Sequence, residues 1–179
     1  MTAVGPGRRP FDVESYVARV RGGPCFVCAL VRGDPAQTEH VIARTETAVA
    51  FLARWPTQRG YALLAPLEHR EDVVADFTLD EYLDLQAQVH RLGRAVAAAV
   101  PTERLYVLSL GSRQGNAHVH WHVVPLPPGV PYEEQQYAAL DAERGGWLDL
   151  PDDELAALAA AIRRGWDEPT VPAADPVTE

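Results

Sequence analysis

Three of the six histidines fall within five residues, His118, His120 and His122, and the only asparagine in the chain, Asn116, stands two positions ahead of them. Side chains alternate along an extended segment, so the three imidazoles share one face while Val119, Trp121 and Val123 take the other. A single histidine on a strand is ordinarily a packed or surface residue. Three side by side cost desolvation when buried and repel one another when protonated, so the pattern points to chemistry. Imidazole suits metal ligation or nucleophilic attack. Metal cages built on His-x-His add a nearby carboxylate, but Val123, Val124 and Pro125 follow here and the next acid is Glu133. A histidine nucleophile needs one imidazole free of metal in a fixed tautomer, with a neighbouring imidazole or amide to meet phosphate oxygens. The triplet supplies that arrangement.

A second cluster, Cys25-Phe26-Val27-Cys28, can be a zinc half-site, a redox pair, a disulfide or two small buried residues. No βαβ pattern frames it as a thioredoxin-type redox site, and a disulfide does not suit a cytosolic chain. Zinc, which takes four nitrogen or sulfur ligands, and simple packing both stay open. His40 and His90 stand apart from both clusters, His90 reading as a helix-face residue.

The elements that must position these residues follow from pattern and punctuation. Asp12 can cap a short helix over Val13 to Arg21, and Gly22-Gly23-Pro24 then stops it, placing the cysteines in a turn-rich loop. Extended stretches at His40 to Arg44, Ala48 to Arg54 and Tyr61 to Ala65 read as an antiparallel meander. Thr78 and Glu81 make a capping box, and Leu79, Tyr82, Leu83, Leu85, Val89, Leu92 and Val96 form a helical stripe that ends before Pro101. Leu105 to Leu110 and Ala117 to Leu126 read as two further strands, separated by Gly111-Ser112-Arg113-Gln114-Gly115. Pro131 to Arg144 and Pro151 to Arg164 read as closing helices, the second with acids at its start and arginines at its end.

Composition narrows the partners. The 179 residues are 47% apolar and 23% charged, enough for one folded domain with its own core. A net charge of −9 opposes a phosphate backbone, so polymeric nucleic acid is not an expected partner. No apolar run approaches the ~20 residues of a membrane span, and the first residues lack a signal peptide's apolar stretch. The expectation is a cytoplasmic protein without a membrane partner. All sixteen basic residues are arginine, a bias of composition and not of function.

His118-Val119-His120-Trp121-His122-Val123-Val124 matches at every position the His-φ-His-φ-His-φ-φ signature, with φ apolar, of the histidine triad (HIT) family. The chain resembles that family from Cys25 to about Pro127, including Tyr61-Ala62-Leu63-Leu64-Ala65-Pro66 followed by His69. The resemblance implies an α+β fold: a bent antiparallel sheet of about five strands, one long helix and, in this chain, a C-terminal helical extension. Boundaries follow as 1–24 for the N-terminal helix and lead-in, 25–130 for the catalytic domain, 131–166 for the extension and 167–179 for a flexible tail. It implies hydrolysis of a nucleotide phosphoanhydride or phosphoramidate through a nucleotidyl-histidine, with His120 as nucleophile, His122 on the phosphate oxygens and Gln114 orienting the α-phosphate. Ser109 and Asn116 would line the same loop, and Arg54, Trp55 and Arg59 could bind substrate. The transferase branch of the superfamily carries Gln where His122 stands, so hydrolysis is favoured over nucleotidyl transfer. Some relatives also carry a C-x-x-C around one structural zinc, which implies Cys25, Cys28, His69 and His118 as ligands, with His40 the alternative.

Two departures keep a non-catalytic, zinc-bearing nucleotide-binding protein in view. Ala53 stands where the family usually places Asn or Asp against the ribose, and Tyr61 replaces a common His. The family normally dimerises, and Leu105 to Leu110 is more apolar than a one-sided strand needs, so a homodimer is expected. In such a dimer Gly129, Pro131, Tyr132, Gln135 and Gln136 would border the partner's pocket.

Overall fold

Ala48-Val49-Ala50-Phe51-Leu52 and Ala62-Leu63-Leu64-Ala65-Pro66 carry no polar side chain, so strands made of them must be covered on both faces. In the computed structural model, which describes residues 7–110 and 116–168, they lie at the middle of the molecule. The elements run β1 (Arg8–Arg9), α1 (Val13–Gly22), α2 (Phe26–Val31), β2 (Val41–Arg44), β3 (Ala48–Leu52), β4 (Ala62–Pro66), α3 (Leu79–Ala99), β5 (Arg104–Leu108), β6 (Trp121–Leu126), α4 (Gln135–Leu140), α5 (Ala142–Gly145), β7 (Trp147–Leu148) and α6 (Asp152–Asp167). Five strands form one antiparallel sheet in the order β2-β3-β4-β6-β5, and β1 pairs with β7 in a separate ribbon. The fold is α+β, as expected.

One face of the sheet, with Ala50, Leu52, Leu64, Trp121 and Val123, packs on Leu85, Val89, Leu92 and Val96 of α3 and on Leu158, Ile162 and Trp166 of α6. The opposite face is covered in two places. Val49, Phe51, Ala53 and Leu63 meet Val27 of α2, while Val124 and Leu126 meet Ala139 of α4. Helix α3 begins as its capping box predicts, the Thr78 hydroxyl accepting from Glu81 N and the Glu81 carboxylate from Thr78 N. Its stripe is only partly buried: Leu79 and Leu83 face solvent.

Several local expectations are corrected. The cysteines do not sit in a loop: Cys25 caps α2, its sulfur accepting from Cys28 N at 3.4 Å, an N-terminus hidden from pattern reading because cysteine is not an ordinary cap. The Pro131 to Arg144 helix is broken into a 3₁₀ turn (Tyr132–Glu134), α4 and α5, with Asp141 capping the last and Gly146 leaving it at φ 71°. The β1–β7 ribbon is too short to give a period. Strand β6 starts at Trp121, not Ala117, because in its register with β4 the residue opposite Val119 would be Pro66, which has no N–H for the ladder. Gln114 and the end of the expected tail, residues 169–179, lie outside the described residues.

Candidate active site and metal centre

Although the ladder stops at Trp121, the segment ahead of it stays pinned to the chain leaving β4. Val119 N donates to Arg70 O at 2.7 Å, and the ring Nε2 of His118 donates to Pro66 O at 2.9 Å. The expected division of faces therefore holds. Val119, Trp121 and Val123 enter the core under α3, and the histidines take the side covered by α2.

Fully buried His118 turns its Nδ1 toward both cysteines, 3.5 Å from each sulfur. His69 Nδ1 lies 3.3 Å from Cys28 Sγ, while its Nε2 meets Glu71 Oε1 at 3.1 Å. The four donor atoms lie within 4.8 Å of one another. A tetrahedral ion with ordinary Zn–S and Zn–N bonds sets sulfur and nitrogen about 3.6 Å apart, close to these separations. The tautomers also fit, since each imidazole gives its Nε2–H to an oxygen and leaves Nδ1 for the cluster. Burial, and next the neighbouring Cys25 thiol, push the Cys28 thiol above its ordinary value. Burial likewise pushes His118 down to about 4. These residues can hold a metal ion. His40 is not part of the set: its Nε2 pairs with Asp152 of α6 at 3.1 Å. His90 is exposed on α3.

Next to this cluster, His120 donates Nδ1–H to its own neighbour's carbonyl, His118 O, at 2.7 Å. A proton held on Nδ1 leaves the Nε2 lone pair as the reactive site. The Ser109 hydroxyl donates to His120 O at 2.9 Å, so this side chain braces the backbone that carries the imidazole. His122 lies on the same face, its ring centroid 4.8 Å from that of His120. Its Nδ1 is 2.6 Å from the Tyr61 hydroxyl and its Nε2 is buried without a partner among the described residues. Desolvation, then the neighbouring His120, push His122 down to about 3, and desolvation lowers His120 too. Burial thus favours the uncharged form of both imidazoles.

The other predicted site residues divide. Asn116 has its amide Nδ2 buried and unpartnered among the described residues. Arg54 pairs with Glu39, and Arg59 with Glu154 of α6. Trp55 sits edge-on to Phe11 and Tyr16, with the Arg19 guanidinium 4.8 Å from its ring centre. Ala53 belongs to the buried cluster beside Phe51 and Leu63, which accounts for a methyl group there. The Tyr61–His122 bond escaped sequence reading. Its one signal was a tyrosine where a histidine is common.

The model of the HIT domain matches residues 34–128 of this chain. The chain belongs to the HIT family. Among curated HIT relatives, the adenosine 5′-monophosphoramidase hnt1 of Schizosaccharomyces pombe is 29% identical over 133 residues, 66% of this chain and 94% of that protein. An uncharacterized HIT-like protein of Mycoplasma genitalium is 32% identical over 108 residues, covering 56% of this chain and 72% of its own. Two solved structures share the HIT fold. A hypothetical histidine triad nucleotide-binding protein from Sulfolobus tokodaii aligns with TM-score 0.64 and 19% identity over 79% of this chain and 91% of its own. A zinc-bound histidine triad family protein from Mycobacterium smegmatis aligns with TM-score 0.60 and 21% identity over 79% and 92%.

Proposed function

We propose that this HIT protein hydrolyses a nucleotide phosphoanhydride or phosphoramidate in two steps through a nucleotidyl adduct on His120. The observation that carries the reading is the 2.7 Å bond from His120 Nδ1 to His118 O, which leaves Nε2 as the nucleophile beside His122. In the first step Nε2 attacks phosphorus and the bond to the leaving group breaks, its electron pair going to the departing nitrogen or oxygen, which takes up a proton from solvent. The adduct is a cationic imidazole, and the same carbonyl stabilises the charge by accepting the Nδ1–H bond. In the second step water attacks phosphorus and loses a proton to solvent, the P–N bond breaks with its electron pair returning to His120 Nε2, and the nucleotide is released. His122 donates to a phosphate oxygen in both steps, and Gln114, four positions ahead of the triplet, orients the α-phosphate. The phosphoramidase name of the S. pombe relative supports the reaction class.

Cys25, Cys28, His69 and His118 would hold one zinc ion in a structural role, steadying the backbone that presents the His118 carbonyl to His120. The zinc-bound M. smegmatis relative supports that choice of metal. Metal analysis of protein purified without chelator should give about one zinc per chain, and Cys28→Ser should lower stability more than the rate per folded molecule. Metal-free protein of full stability would remove the zinc assignment.

A non-catalytic nucleotide binder is the second reading, favoured by the buried methyl of Ala53 where a polar group would face the ribose. Incubation with a diadenosine polyphosphate, acid-free quenching and mass spectrometry separate the two. Hydrolysis predicts turnover and an acid-labile nucleotidyl adduct on His120. Binding without either result supports the second reading.

A further inference from the structure

The bond between Tyr61 and His122 has one orientation that leaves a single buried polar group open instead of two. Tyr61 makes no other side-chain hydrogen bond among the described residues, so its hydroxyl donates to His122 Nδ1, 2.6 Å away. Were the imidazole the donor, the phenolic proton and the Nε2 lone pair would both be buried without partners, whereas with the phenol as donor only the Nε2–H is, and each such group costs about as much as a lost hydrogen bond. An Nδ1 that accepts carries no proton. The single proton of neutral His122 is therefore on Nε2, the atom that is buried and unpartnered among the described residues. Burial keeps both groups in the required state, raising the phenol above its ordinary value and lowering the imidazole.

We propose that Tyr61 is a positioning residue: its hydroxyl fixes His122 as the Nε2–H tautomer and aims that N–H, beside His120, at an oxygen of the phosphate under attack. This inference rests on the hydrolase reading above. The two imidazoles are set in opposite senses by two different acceptor and donor groups. The His118 carbonyl holds a proton on Nδ1 of His120 and exposes a lone pair at Nε2. The Tyr61 hydroxyl denies a proton to Nδ1 of His122 and presents one at Nε2. One ring attacks and the other donates, and neither histidine has to exchange a proton before the P–N bond to His120 forms.

Tyr61→Phe removes the donor and keeps the ring that packs against Phe51, Leu63 and Val124. Nitrogen-15 NMR of histidine-labelled protein, with His122 assigned by the signal lost in His122→Gln, reads the tautomer without any turnover. Wild type should show His122 with an unprotonated Nδ1 and a protonated Nε2, and Tyr61→Phe should show a mixture. With adenosine 5′-phosphoramidate as probe, Tyr61→Phe should lower kcat about tenfold and leave KM within about twofold. A protonated Nδ1 in wild type, or a Tyr61→Phe variant with unchanged tautomer and kcat, would overturn the proposal. If neither protein turns the probe over, the hydrolase reading fails while the spectra alone decide whether Tyr61 sets the tautomer.

Discussion

At the scale of single residues, the site is a contest between burial and protonation. His122 is pushed from 6.5 down to about 3, so below pH 6.5 the unfolded chain binds a proton that the folded one refuses. Stability contributed by the neutral ring is complete above pH 6.5 and is lost progressively as pH falls toward 3. Urea unfolding at pH 7.5 and at pH 5 should show the wild-type midpoint falling more than that of His122→Gln; the metal cluster is common to both proteins, so the difference reports His122. Equal falls would place the acid sensitivity elsewhere. The nucleophile is tested separately, since binding and attack use different groups: His120→Ala should leave nucleotide affinity within a few-fold and abolish turnover and adduct. A variant that retains a near-normal rate would remove His120 from the reaction. The imidazoles were legible because three side chains of one rare type repeat at period two. Tyr61, Pro66 and Ser109 were not legible as their supports, because a phenol, a carbonyl and a hydroxyl reach them from just ahead of β4, from its end and from just past β5, and no spacing records that meeting.

At the scale of elements, the loop from Ala53 to Gly60 decides where Tyr61 goes, and it is held from outside. Thr57 bonds to Ala139 O, Gln58 Nε2 donates to Ala138 O at 2.6 Å, and Arg8 donates to Thr57 O at 2.7 Å. The loop closes at Gly60, whose φ of 86° suits glycine and whose added Cβ would stand 3.0 Å from Val100 Cγ2. Gly60→Ala should therefore cost on the order of 1–3 kcal/mol in unfolding free energy and should reduce kcat as well, since the strain falls next to Tyr61. Thr78→Ala is the control, with a loss of about 1 kcal/mol at the capping box of α3 and an unchanged kcat. Denaturant melts and initial rates on both variants check the pair; a Gly60→Ala protein with wild-type kcat would uncouple the loop from the site. Helix α3 and the central strands were readable because each carries its own period and cap. Helix α2 and the broken segment after Pro131 were not, because short elements are defined by contacts with β3 and β6 more than by their own sequence.

At the scale of the whole molecule, the edge of the sheet bears on assembly. Strand β5 lies at the end of the strand order, and Val107 is 49% and nearby Leu110 59% exposed. An apolar edge with free backbone groups is a template for pairing, and a copy of the same strand satisfies it across a twofold axis. We propose a homodimer on this edge, which light scattering should report near twice 19.6 kDa. Val107→Asp puts a carboxylate opposite its own copy or close to it and should yield a folded monomer. The segment after Pro131 needs a finer test than removal. Leu158, Ile162 and Trp166 of α6 sit in the core with α3, so truncation before Pro131 would unfold the subunit it came from. Tyr132 is 90% exposed. If it borders the partner's pocket, Tyr132→Ala should shift KM between adenosine 5′-phosphoramidate and a diadenosine polyphosphate by several-fold at unchanged melting temperature. The same substitution in the Val107→Asp monomer should then have no effect on that ratio. An equal shift in monomer and dimer would place Tyr132 at its own subunit's site, and no shift in either would leave the segment as a cap on its own sheet.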